Sequence, residues 1–299
     1  MLSAAFVVAS FVASTFSAPS PSAGNCTVLW EGRIPQDFTP QSFDQDTSPF
    51  NNTIFLGQNQ TWSEIVQFPD VPPSLFDITS KPVEISISDE SIFAFNASLI
   101  ETGFRRTELV PANNNNTGDI TSGITTIHWS ILTDSAHPLN YSHEYQIMWH
   151  ERTDLAADQL ALKTGVPFAP AKEDITVTNP KTLRVVGTNF ATPEKNVYVV
   201  DFDDDVWHNF AVTIGWETNQ TQLYYSRDKE PLEMVSNFTN DWAGQGIIHF
   251  GFLRLPIGDP DINIAFEGFQ APIDTFEGLV YGGLFVEDSA DGCVSLGGQ

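Results

Sequence analysis

Residues Ile124–Leu132 read ITTIHWSIL, with Ile127, Trp129 and Ile131 on one side of an extended chain and His128 and Ser130 on the other. Period-two alternation of this kind marks a β-strand with one face on a core. Lys81–Ser88 repeats it: Val83, Ile85 and Ile87 oppose Glu84, Ser86 and Ser88, which predicts a half-buried strand. Working outward, β-like runs occur at Val28–Trp30, Thr53–Leu56, Ile92–Phe95, Phe104–Val110, Leu183–Val186, Val197–Phe202, Trp207–Trp216, Gln222–Ser226, Ile247–Leu255 and Gly278–Glu287. Turn residues punctuate them: Pro111, the Asn113–Asn116 run with Gly118, Asn219-Gln220 and Arg227–Pro231. Residues Arg33–Thr61 are polar and irregular, and Leu155–Thr164 (LAADQLALKT) reads equally as a marginal helix or a strand. Short strands at near-regular spacing with almost no helix predict an all-β protein, a two-sheet antiparallel sandwich or β-jelly roll. No linker or repeat divides it, so residues 25–299 are expected to form a single domain.

The chain has 299 residues, 41% hydrophobic and 12% aromatic, which is enough for a real core. Thirteen Lys+Arg against 38 Asp+Glu give a net charge of −25. That charge disfavours nucleic acid, anionic membranes and polyanionic polysaccharide, and suits a neutral substrate. Residues 1–17 are small and apolar with no acidic residue, as in a secretory signal peptide, with cleavage as late as about residue 24. Eight N-x-S/T sequons, at Asn25, Asn51, Asn59, Asn96, Asn115, Asn140, Asn219 and Asn237, agree with a secreted, extracellular address. Two cysteines, Cys26 and Cys293, stand near the ends of the mature chain. In an oxidising compartment they are expected to pair, stabilising by on the order of 4–5 kcal/mol.

Chemistry concentrates in Asn140–Glu151 (NYSHEYQIMWHE) and in Phe104–Leu109 (FRRTEL). Strand alternation puts Arg106 and Glu108 together with Phe104. In the second stretch it puts Glu144, Gln146, Met148 and His150 on one face, and His143, Tyr145, Ile147, Trp149 and Glu151 on the other. Glu144 and Glu151 therefore share a groove only if a bulge intervenes. Paired carboxylates suit glycoside hydrolysis, in which one protonates the leaving oxygen and the other activates water or attacks the sugar. Aromatics, including seven Trp, offer sugar-stacking platforms. The plainer reading of Arg106 and Glu108 is a structural ion pair. His128, His143 and His249 read as hydrogen-bonded structural residues, and His208, beside Trp207, as a better catalytic candidate. The run Asp201, Asp203, Asp204 and Asp205 lacks calcium-loop spacing and reads as a solvated turn. No metal or cofactor is expected, and no G-x-S-x-G, P-loop or H-E-x-x-H occurs.

The segments FRRTEL, HPLNYSHEYQ, VWHNFAVTI, IIHFGFLRLP and EGLVYGGLFVEDSADGCVSL, in that order, resemble glycoside hydrolase family 131, from about Cys26 to Leu296. The resemblance implies a secreted fungal β-glucanase with a β-jelly-roll catalytic domain and broad activity on β-1,3, β-1,6 and β-1,4 links. It implies Glu108 and Glu144 as the carboxylate pair, with Glu151 as the fallback for Glu144, and His208 in the site. An inverting mechanism is expected. Arg106, Tyr145, Gln146, His150 and Trp207 are expected to bind substrate. The partner would be a neutral β-glucan polysaccharide or oligosaccharide, met by a monomer without nucleic acid or membrane. A non-catalytic lectin-like jelly roll and a polysaccharide lyase are the competing readings, and a lyase would want a basic groove that a chain of −25 does not favour.

Overall fold

A computed structural model describes residues 26–51, 57, 60–96, 98–112 and 119–297. The signal segment, the run at Thr53–Leu56, the loop at 113–118, and Asn25, Asn59 and Asn115 lie outside the described residues, as does the side chain of Asn96. In chain order the strands are β1 (Val28–Glu31), β2 (Ile34–Pro35), β3 (Val66–Gln67), β4 (Ser80–Lys81), β5 (Val83–Ile87) and β6 (Phe93–Asn96). Then come β7 (Leu99–Glu101), β8 (Arg105–Leu109), β9 (Ile124–Thr133), β10 (Glu144–Arg152), β11 (Asp158–Gly165) and β12 (Thr182–Val186). The last are β13 (Asn196–Asp201), β14 (His208–Gly215), β15 (Gln220–Arg227), β16 (Glu233–Thr239), β17 (Gly246–Arg254) and β18 (Glu277–Asp288).

Two antiparallel sheets face each other. One runs β16-β15-β14-β9-β18-β5-β3, with β1 also on β18; the other runs β13-β12-β11-β10-β17-β8. Between them lies a continuous core that includes Trp129, Ile131, Phe210, Val212 and Tyr281 from the first sheet, and Tyr145, Ile147, Met148 and Phe250 from the second. The alternation at 124–132 thus reports an inward face, and the fold is the expected two-sheet sandwich. Cys26 and Cys293 are disulfide-bonded, with Cα atoms 5.7 Å apart, and close the first sheet's strand β1 onto the segment after β18.

Three local expectations change. Strand β5 is buried on both faces: Ser86 and Glu84 are inaccessible, because the turn carrying His137 covers Glu84, with Nδ1 2.6 Å from Oε1. The ambiguous segment at 155–164 is strand β11, held between β10 and β12. The sequence also hides the edge strand β16, whose residues are mostly exposed and carry no clean alternation. The acidic run at 201–205 behaves as a solvated turn, with Asp203 paired to Arg227 and Asp204 to Lys181.

Candidate active site

The exposed face of the second sheet forms a groove of about 1070 Å³. Its floor comes from β8, β10 and β11, and its walls from the β6–β7 hairpin and the loops near residues 168–173, 189–194 and 255–265. Strand β10 runs the length of the floor and is not a uniform strand. Opposite β11, Gln146 pairs with Lys163 but Met148 with the very next residue, Leu162, so Ile147 is an extra residue. Opposite β17, Gln146 pairs with Leu253 and Met148 with Phe250, so β17 in turn carries an extra residue near Gly251. A bulge leaves backbone carbonyls outside the ladder, and a buried carbonyl needs a donor. The hydroxyl of Tyr281, reaching from the opposite sheet, lies 2.9 Å from both Ile147 O and Gly251 O and shares its proton between them.

The bulge reverses the phase of β10. Before it, Glu144 and Gln146 line the groove while Tyr145 enters the core; after it, Trp149 and Glu151 line the groove while Met148 enters the core. The expected faces therefore hold only as far as Gln146. His150, expected in the groove, is fully buried with its ring against Trp216 and Trp242. Tyr145, also expected there, is buried with its hydroxyl 2.7 Å from Glu277 Oε2. Gln146 and Arg106 are where the sequence reading put them, in the groove lining.

His208 and Trp207 depart furthest from expectation, because they belong to β14 and its approach, in the other sheet. His208 is buried against Phe202, with Nδ1 2.8 Å from the Tyr225 hydroxyl, and burial pushes its pKa down to about 4. Trp207 packs with Leu132 and Val280. All seven tryptophans are buried, so they are chiefly core, and of these Trp149 borders the groove.

At one end of the floor, carboxylates converge. Arg106 Nε donates to Glu108 at 2.8 Å, and Arg106 Nη2 lies 3.9 Å from Glu151 Oε2. The guanidinium sits over the rings of Phe93 and Trp149. His249 stacks flat on Trp149, with ring centroids 4.6 Å apart, and stands between the acids: Nδ1 is 3.4 Å from Glu108 and Nε2 is 3.5 Å from Glu151. The planar guanidinium fork keeps the two carboxyl groups within about 9 Å of each other. Gly251 permits the approach of β8, since a Cβ there would lie 2.4 Å from the Cα of Glu108.

Burial raises the pKa of Glu108 from 4.5 to about 7, outweighing the opposing pull of Arg106. It does the same to Glu151, helped by the charges of Asp158, Glu108 and Glu101. His249 is held well below its ordinary value, first by burial and then by the Arg106 charge. It is the member of this cluster that sequence reasoning assigned to structure. Its signal was its place in IIHFGFLRLP, a segment quoted for the family resemblance without a role for the histidine.

Glu144 sits at the other end. On strand position alone Glu108 is equidistant from Glu144 and Glu151: it pairs with Gly251, while Glu151 pairs with Ile247 and Glu144 receives the amide of Leu255. Each offset is four residues along β17 and two strands across, roughly 15 Å between Cα atoms. Side-chain partners decide. Glu144 turns away to Lys163 Nζ at 3.3 Å and Arg184 Nη2 at 3.8 Å, and accepts the amide of Phe168. Lys163 also meets Glu194 at 2.8 Å, and Arg184 meets Glu173 at 3.4 Å. Burial would strip the proton from Lys163, but Glu144, Glu194 and Glu173 hold it charged, above its ordinary pKa. The expected pair of Glu108 and Glu144 is thus not brought together, and Glu151 is the groove carboxylate beside Glu108.

Comparisons with known proteins agree with this architecture. The family profile described as the glycoside hydrolase 131 catalytic N-terminal domain matches residues 28–292. The structure is similar to the crystal structure of a family 131 β-glucanase catalytic domain from Podospora anserina, with TM-score 0.66 and 19% identity over 91% of this chain and 98% of that one. It is also similar to the family 131 catalytic domain from Coprinopsis cinerea, with TM-score 0.65 and 19% identity over 91% and 97% of the two chains. No curated protein matches the sequence.

Proposed function

The chain belongs to the glycoside hydrolase 131 family of catalytic domains, and from that membership we propose that it cleaves β-glucan by acid–base catalysis between Glu151 and Glu108. The observation that carries this reading is the convergence of both carboxyl groups on Arg106, with Arg106 and Glu151 in the groove lining and Glu108 fully buried beside them. Arg106 hydrogen-bonds Glu108 directly and stands farther from Glu151, so the negative charge belongs with Glu108 and the proton with Glu151. Glu151 gives its proton to the glycosidic oxygen as the bond to the anomeric carbon breaks. Glu108 takes a proton from a water that attacks that carbon. Inversion of configuration is proposed from the family resemblance; it goes with a carboxyl separation of about 6.5–9.5 Å, and retention with about 5–5.5 Å. Trp149 and the Arg106 guanidinium form the rigid wall against which the sugar lies.

A neutral β-glucan fits a chain of charge −25 better than a uronate does, and the Podospora relative is a β-glucanase. We assign broad β-1,3, β-1,6 and β-1,4 specificity and a secreted, extracellular site of action, which the Cys26–Cys293 bridge supports. Product analysis on β-1,3, β-1,4 and β-1,6 glucans tests the reading. Wild type is expected to release reducing sugar of inverted anomeric form, and Glu151→Gln and Glu108→Gln to release almost none. Binding of glucan without any cleavage by wild type would replace the hydrolase with a lectin-like protein.

A further inference from the structure

Titratable groups also converge on the far side of the sandwich. Val83, Ile85 and Ile87 of β5 enter the core, so Glu84 points outward from the first sheet, away from the groove. The turn after β9 folds back over it and brings Asp134 and His137. His137 Nδ1 lies 2.6 Å from Glu84 Oε1 and 3.3 Å from Asp134 Oδ2. One donor atom from each of the three residues falls within 4.8 Å of the other two. No spacing in the sequence marks this set, because Glu84 stands far along the chain from the other two.

The arrangement is fixed from several sides. Asp134 Oδ1 accepts the amide of Ala136 at 2.8 Å, which leaves Oδ2 turned to the cluster. Gly278 of β18 donates its amide to His137 O at 2.9 Å. A Cβ on Gly278 would lie 2.0 Å from Glu84 Oε1, so a side chain there would fill the cradle. The protons, however, do not suffice. The single Nδ1–H of His137 serves one carboxyl at a time, while Glu84, its side chain 2% exposed, sits beside the like charge of Asp134. Burial, with the Asp134 charge behind it and the His137 hydrogen bond against it, pushes Glu84 up to about 7.

A divalent cation satisfies all three donors at once. Its class follows from them: imidazole nitrogen suits zinc and its transition-metal neighbours, whereas calcium takes oxygen ligands. Zinc–ligand bonds of about 2.0–2.1 Å hold neighbouring donors roughly 3.3 Å apart. Asp134 and His137 already stand so, and Glu84 reaches that spacing by drawing back about 0.7 Å. The side chains of Asp134 and His137 are 17% and 19% exposed, so water reaches a fourth position.

We propose that Glu84, Asp134 and His137 form a binding site for a divalent transition-metal ion, zinc being the type, that clamps the turn between β9 and β10 onto β5. The clamp is separate from the groove, since none of the three residues lines it.

Calorimetry on EDTA-treated protein is expected to show a single equivalent of zinc chloride bound, and calcium chloride bound at least about a hundredfold more weakly. His137→Ala and Asp134→Asn are each expected to lower zinc affinity at least about a hundredfold. Zinc should raise the Tm of wild type and leave that of His137→Ala unmoved. Both positions are partly exposed and Asp134→Asn preserves shape, so one variant decides if the other fails to fold. No zinc bound by wild type, zinc bound equally by wild type and both variants, or calcium preferred to zinc overturns the site.

Discussion

The two ends of the groove use the same residue types to opposite effect. At the Glu151 end one guanidinium serves two carboxyl groups, burial dominates, and both acids are pushed up to about 7. At the Glu144 end two cations serve three carboxylates, and Lys163 is held charged despite its burial. The ratio of counter-charges to carboxylates, more than their number, separates an end where buried acids are pushed up from one where a buried lysine is held charged.

The sharpest way to break that contrast is kinetic. Glu151→Gln and Glu108→Gln should each lower kcat/KM on glucan by about 10²–10⁴-fold, the range of a lost general acid or base, whereas Glu144→Gln should cost about tenfold, one lost hydrogen-bonding contact. Equal losses in all three would erase the distinction. Stability reads the other side. Lys163→Met leaves Glu144 and Glu194 short of a counter-charge and should cost about 3–5 kcal/mol in urea unfolding. A smaller change would mean that the distal charges are well solvated.

A third prediction uses pH. Glu108 and Glu151 have folded-state pKa values raised from 4.5 to about 7. Their protonated forms favour the fold, so that stability is fully present below about pH 4.5 and is lost as pH rises through 7. Each of the two acids should contribute a loss on the order of 3 kcal/mol over that window, and Glu108→Gln should remove its share and flatten the curve. An unfolding free energy that rises from pH 5 to 7 would contradict the burial argument. The smallest effect expected is for Tyr281→Phe, which removes the proton shared by Ile147 O and Gly251 O. It should cost about 1–3 kcal/mol and lower activity through the misplacement of Glu151, with kcat falling more than KM changes.

Much of the fold was legible because alternation at 83–87 and 124–133 is strong and the strands around them are long. The polar edge strand β16 was not, since an edge with solvent on both sides imposes no pattern. Within the site, Arg106, Glu108 and Gln146 were readable from short-range alternation, and Arg106 and Glu108 do meet. The second half of β10 was unreadable for a physical reason. The residue that supports its bulge, Tyr281, is 134 positions away in sequence, and a period of two counted along one strand carries no trace of it. His150 and Trp149 exchanged places as a result, and Glu151 moved from fallback to groove. His208 misled because its flanking Trp207 and Asn209 look like a polar-aromatic site, while in three dimensions they pack a different sheet.

The bulge at Ile147 behaves like a shift of reading frame in the language of side chains. Everything before it is spelled in one phase and everything after it in the other, so ironing the bulge out with every residue kept would leave β10 a strand while exchanging its downstream message. Met148 and His150 would be turned to the sugar, and Trp149 and Glu151 to the interior. Losing Ile147 together with the bulge keeps the phase instead, so the count of residues around it sets the face of Glu151 before the identities of its neighbours do.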